Sequence, residues 1–182
     1  MAIWIIIAIG VLLLLIVFGY YNRFVVLGNR IDNSLSQIDV QLKRRADLIP
    51  NLIETVKGFA KHEKEAIKAV TDARKALVSA KDLPGKVKAN NQLESALKTI
   101  FAIAEGYPDL KANTNFLELQ RELSSTEDRV AYSRQNYNDS ILSYNILCEK
   151  FPGVIFAGIF GKKKKEYIKI AEVERAVPKV SF

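Results

Sequence analysis

His62 and Cys148 are the only histidine and the only cysteine of the chain, so nucleophilic or metal chemistry would have to be built on them. A Cys–His pair or a Ser–His–Asp triad needs its base within hydrogen-bond reach of the nucleophile. His62 instead sits in the charged run KHEKE, an exposed helical position by pattern and far from Cys148 in sequence. Zinc sites gather Cys, His or carboxylate ligands at close spacing, and no such cluster is written here. Glu63 and Glu65 stand at i, i+2, which puts them on different helix faces. A glycine-rich phosphate loop is absent. With no reaction, metal or cofactor supported, the chain reads as a non-enzyme. A single cysteine also excludes an internal disulfide.

What remains is polarity set inside apolar helical patterns. The run QIDVQLKRRADLIPNL (Gln37–Leu52) carries Asp39, Gln41, Arg44, Arg45 and Asp47, with Arg45 on the apolar stripe itself. Later, EDRVAYSRQNYND (Glu127–Asp139) carries Arg134, Tyr137 and Asn138, and its stripe includes Thr126, Ser133 and Ser140. Buried polar groups need partners, so the two runs are expected to meet in a hydrogen-bonded network. Such a network can specify one bundle topology. It can also line a polar recess for a small molecule or lipid headgroup, centred on Arg44, Arg45, Arg134 and Tyr137.

The elements that must position these residues begin with an apolar run. Residues 1–22 hold no charged side chain, and Ala2–Tyr21 is long enough, at about 1.5 Å per residue, to cross roughly 30 Å of hydrocarbon. No Lys or Arg precedes it and no A-x-A-like site follows, so a retained single-pass helix is expected rather than a cleaved signal peptide. Trp4 and Tyr20–Tyr21 would mark the two headgroup regions. Arg23, Arg30, Lys43, Arg44 and Arg45 all follow the span, which predicts an outside N-terminus and a cytoplasmic bundle at the inner membrane.

Beyond the span, Ile31, Leu35, Ile38, Leu42, Ile49, Leu52, Val56 and Phe59 step by three and four, a heptad seam of the coiled-coil kind. Helix propensity stays high from Asn22 to Ala80, where Gly28, Pro50 and Gly58 are the only breakers. At Pro50 the helix either runs through with a kink or stops near Ile49 and restarts with Asn51 as N-cap and Glu54 as its partner. Unbroken heptad phase favours the kink. A turn at Lys81–Lys86, a helix over Val87–Gly106, a break at Tyr107–Asn113 and a helix over Thr114–Lys150 complete the pattern. The fold class is all-α: a transmembrane helix (1–22) followed by an antiparallel bundle of three to four long helices (23–150).

An unbroken first helix would reach roughly 88 Å, against ~30 and ~55 Å for the next two. Either the chain folds back at Pro50, or the seam from Ile31 to Leu42 meets another copy of the protein in a homo-oligomer. Residues 151–182 form an amphipathic and basic tail. Its apolar part, Phe151–Gly161, is too short to span a bilayer. Lys162, Lys163, Lys164 and Lys165 either touch anionic lipid, at about 1 kcal/mol per lysine, or form a solvated surface run. A four-helix chain returns this tail to the membrane side; a continuous first helix leaves it far away. Ala171–Phe182 reads as extended or irregular.

The formal charge of +7 favours anionic partners. The basic residues are spread along helices rather than gathered with aromatics, so nucleic acid is not expected among them. Hydrophobic residues at 49% and charged residues at 26% suit a folded helical chain rather than a disordered one.

Several blocks together carry a family resemblance. They are Tyr21–Asn22, Gln37–Leu52, Val56–Glu63, Thr71–Arg74, Tyr107–Asn113, Phe116–Leu123, Glu127–Asp139, Tyr144–Asn145 and Phe151–Pro152. Through them the chain resembles the LemA family over nearly its whole length. Ala46 departs from the family pattern, which often has an aromatic or larger polar residue there, and the four-lysine run is particular to this sequence. The resemblance implies a single-pass bacterial membrane protein with a cytoplasmic helical bundle and no established catalytic activity. Some relatives are implicated in organising internal membranes. Two functions are compatible with this: a membrane-anchored scaffold or adapter that recruits a membrane protein or further copies of itself, and a membrane-tethered sensor with a polar recess.

Overall fold

The computed structural model describes residues 1–168; the expectation for Ala171–Phe182 lies outside the described residues. Helices account for most of them, and no strand occurs among them. They are α1 (Ala2–Phe59), α2 (Lys64–Ser79), α3 (Leu83–Ala104), α4 (Pro108–Lys111), α5 (Thr114–Glu149) and α6 (Gly153–Ile159). The chain forms two compact units. One is Ser36–Ser133; the other combines Met1–Leu35 with the described residues from Arg134 onward. α1 and α5 each contribute to both.

α1 holds 58 residues, with Pro50 inside it. The helix therefore neither stops near Ile49 nor folds back at the proline. It ends at Phe59, although helix propensity stays high to Ala80. Gly58 weakens the last turn by about 1 kcal/mol relative to alanine. The break at residues 60–63 lets α2 turn back and bury Val70, Ala73 and Leu77. The expected turn at Lys81–Lys86 is shorter than its sequence suggested. Asp82 is the N-cap residue of α3, and Pro84 falls in the first helical turn, where a missing N–H costs nothing. The last long helix, Thr114–Glu149, agrees with expectation to one residue.

In the Ser36–Ser133 unit, α1 supplies Ile38, Leu42, Ala46, Ile49, Leu52 and Val56 to the core, and Ala60 just after it adds to them, all 4% exposed or less. Each buried Leu or Ile contributes about 1.5–3 kcal/mol through lost apolar area. Contacts Asp39–Lys86, Arg45–Asn90 and Glu63–Tyr107 show α3 following the direction of α1. The last of these ties the α1–α2 reversal to the start of α4: the Tyr107 hydroxyl donates to Glu63 Oε1 at 2.9 Å.

In the other unit, α5 runs antiparallel to α1. Phe24 meets Tyr144 edge-on at 5.9 Å, and Ser34 meets Ser140 at 3.0 Å. The core here is Phe24, Ile31, Ile141, Tyr144, Leu147, Cys148 and Ala157. Ile31, Ile38 and Leu42 are thus buried within one chain. The uncovered seam that argued for self-association does not exist, because three reversals, after α1, after α2 and around α4, bring α5 back along α1. The seam also drifts from the heptad reading. Ser34 and Ala60 are buried while Leu35 is half-buried and Phe59 is exposed. A straight helix turns every 3.6 residues rather than 3.5, so a heptad frame slips by about 20° per repeat.

Candidate functional site

Arg45 occupies a stripe position of α1 and is 2% exposed. A charge so placed is stable only if paired and hydrogen-bonded. Glu127 of α5 forms an ion pair with its guanidinium, and its Nη1 donates to Asn90 Oδ1 of α3 at 2.8 Å. Three helices therefore converge on one cation. Asn90 is fully buried; its place between Ala89 and Leu93 on the inner face of α3 is the one signal of this role in the sequence. Lys98 lies close by. Its hydrogen bond to Glu94 raises its pKa, the charges of Glu94 and Glu127 add to this, and Arg45 opposes it.

The other residues of the first polar run find separate partners. Asp39 Oδ1 accepts from Lys86 Nζ at 2.7 Å, Arg44 pairs with Glu122 at 3.1 Å, and Asp47 pairs with Lys43 at 2.9 Å. Beside them, α1 and α2 leave an open groove of about 420 Å³. Leu42, Ala46, Leu77 and Val78 give it an apolar lining, with Asp39, Lys86 and Arg74 among the polar residues. Arg74 Nε donates to the Ala46 carbonyl at 2.8 Å. The groove is an apolar slot rimmed by two ion pairs and Arg74, not a concentration of one sign. Gln41 borders a second, shallower depression of about 380 Å³ with Gln37, Asp128, Arg129 and Tyr132.

Arg134, Tyr137 and Asn138 belong to the other unit. Tyr137 is half-buried against the Phe24 core, and burial, helped by the charge of Asp32, pushes its phenol pKa up. Asn138 does not turn toward the first polar run. Its Oδ1 accepts from the Ile168 N–H at 2.9 Å, and its Nδ2 donates to the Ile168 carbonyl at 3.2 Å. Asn145 does the same for Lys165, with both bonds at 2.9 Å. Two asparagines seven positions apart on α5 thus clasp an extended segment running antiparallel to the helix. The spacing fits: seven helical residues rise about 10.5 Å, and three extended residues cover about 10 Å. The heptad-spaced asparagines are visible in the sequence; the segment they hold is not.

α6 precedes that segment. Phe156 stacks on Tyr20 at 4.5 Å, and Phe160 meets Tyr21 and Phe24 edge-on at 5.5 and 6.2 Å. The tail is therefore beside the end of the apolar span although α1 is continuous. The expectation that a continuous helix would leave it far away is corrected by the return of α5. Lys162–Lys165 are exposed; Lys164 pairs with Glu149 at 2.6 Å, and Lys165 lies 5.8 Å from the Tyr144 ring centre.

These features define a helical-bundle protein whose first helix includes a stretch long and apolar enough to cross a membrane, with a mean hydropathy of 3.1. The chain belongs to the LemA family, which it matches over residues 34–182. It is similar to the magnetosome protein MamQ of Magnetospirillum gryphiswaldense, at 28% identity over 173 residues, covering 81% of this chain and 64% of the relative. MamQ 2 of Paramagnetospirillum magneticum matches the same shares at 26% identity. Protein LemA of Metamycoplasma hominis is 30% identical over 118 residues, covering 64% of this chain and 54% of the relative. The chain thus spans less than two thirds of the length of these curated relatives.

Proposed function

We propose that this chain is a membrane-anchored scaffold: residues 2–21 cross the bilayer, and the Ser36–Ser133 unit offers its apolar groove to a helical segment of a membrane protein partner. The observation that carries this reading is the internal pairing of the charged groups at Arg45 and along the groove. Arg45 is occupied by Glu127 and Asn90, the groove's ion pairs Lys86–Asp39 and Lys43–Asp47 are closed within the chain, and Arg74 is bonded to the Ala46 carbonyl. A partner would be held by apolar contact and chain register rather than by a charged headgroup. The bundle faces the cytoplasm in this reading, supported by the Arg and Lys residues that follow the span. The magnetosome named in the MamQ relatives is compatible with a membrane setting.

The size of the groove favours a second reading, a sensor, since about 300–1,000 Å³ is the range of small-molecule sites. A photo-crosslinking residue at Val78, 65% exposed at the groove edge, separates the two in native membranes. A scaffold gives a discrete protein adduct, whose mass tells a second copy from another protein. Absence of any protein adduct, with thermal stabilisation of the purified chain by a small molecule, would overturn it in favour of the sensor.

A further inference from the structure

α6 is apolar all round, yet only one side of it is covered. Gly153 and Ala157 are buried, and Phe156 and Phe160 pack on Tyr20, Tyr21 and Phe24. On the other side Val154, Ile155 and Ile159 are 46%, 52% and 66% exposed, and Phe151 just before the helix is 75% exposed. A helix facing water on that side would carry polar residues there. The residues it stacks on close the apolar run Ala2–Tyr21, so the bare face lies where the chain leaves the span.

Cations follow at once. Lys164 is held by Glu149 and the backbone of Lys165 by Asn145, which fixes the run beside α6. Lys162 and Lys163 are exposed, with no carboxylate partner among the described residues. An apolar face followed by unneutralised lysines is the pattern of a segment lying in a bilayer interface rich in anionic lipid.

We propose that α6 and Lys162–Lys165 form a second membrane contact, in which Phe151, Ile155 and Ile159 seat in the interface of an anionic bilayer beside the exit of α1. This rests on the reading of residues 2–21 as a span. The span alone leaves the chain free to rotate and tilt about one point. A second contact bonded to the C-terminal end of α5 through the Asn138 and Asn145 clasps sets the face that the membrane-proximal unit turns to the lipid.

The test uses the full chain with Cys148→Ala, one copy per nanodisc, in phosphatidylcholine with or without phosphatidylglycerol. A polarity-sensitive fluorophore is placed singly at Ile155→Cys, at Val78→Cys or at Leu13→Cys. The Ile155 label is expected to be quenched by interfacial nitroxide lipid severalfold more than the Val78 label, and to resist aqueous iodide. Quenching should fall in neutral discs and with Lys162→Gln/Lys163→Gln, about fivefold in the docked–undocked equilibrium per lysine removed. An Ile155 label open to iodide and untouched by nitroxide lipid, with the Leu13 label quenched, overturns the proposal and spares the span. An Ile155 label shielded from both quenchers also overturns it, since protein rather than lipid would then cover the face. If the Leu13 label escapes lipid quenching, the span reading fails and takes the proposal with it.

Discussion

Arg74 Nε on α2 donates at 2.8 Å to the carbonyl oxygen of Ala46, the acceptor that Pro50 leaves without a helical donor. In an α-helix each N–H bonds the carbonyl four residues back, so residue 50 should serve residue 46. Proline has no N–H to give. The buried position of Ala46 makes an unanswered carbonyl costly, and Arg74 answers it from the neighbouring helix. Arg74→Met is therefore expected to destabilise the protein by about 1–3 kcal/mol. Pro50→Ala restores a donor within α1 and should shrink that loss. A double-mutant cycle by chemical denaturation in detergent checks it; equal costs in both backgrounds would sink the account.

Arg45 and Glu127 make a second, more costly pair to break. Removing one partner from a buried ion pair typically costs about 3–5 kcal/mol. Glu127→Gln leaves the Arg45 guanidinium, 3% exposed, without its counter-charge, so its cost should fall within that range. Arg45→Met combined with Glu127→Leu should cost less than Arg45→Met alone, because no uncompensated charge stays inside. Thermal unfolding of the three variants measures the ordering.

The Asn145 clasp predicts a chemical distinction. Asn145→Ala removes both bonds to Lys165, and Asn145→Asp keeps an acceptor for its N–H but loses the donor to its carbonyl. Limited trypsin digestion at Lys162–Lys165 should accelerate most in the alanine variant and partly in the aspartate variant. Identical rates in all three chains would mean the clasp does not hold the segment.

Cys148 provides a reporter for α6. It is 7% exposed in a core shared with Ala157, and burial pushes its thiol pKa up. At any given pH less thiolate forms than for a free cysteine, so the alkylation profile should lie at higher pH. The maleimide reaction should be slow near neutral pH and become fast on unfolding. A Cβ at Gly153 would sit 2.2 Å from the Leu147 carbonyl oxygen, too close without backbone movement. Gly153→Ala should therefore lift α6 and speed alkylation severalfold while far-UV helicity stays nearly unchanged. Unchanged alkylation would show that α6 does not guard the thiol.

Much of this molecule was legible in its sequence. The apolar run, the stripe from Ile31 to Val56 and the bounds of α5 are local periodicities, and a helix obeys its own repeat whatever it packs against. The polar intrusions at Arg45, Thr126, Ser133 and Ser140 were equally plain, and all four are buried. Their partners were not plain. Arg45 turned out to need Asn90 from α3 and Glu127 from α5, and Asn138 and Asn145 were taken up by residues 165–168 rather than by α1. The first reversal was also hidden, since Pro50 is helical and the break comes at residues 60–63, whereas the turns near Lys81–Lys86 and Tyr107–Asn113 were legible. Periodicity reports which face of a helix is buried. Which groups meet across it depends on where distant segments return, and only their packing together decides that.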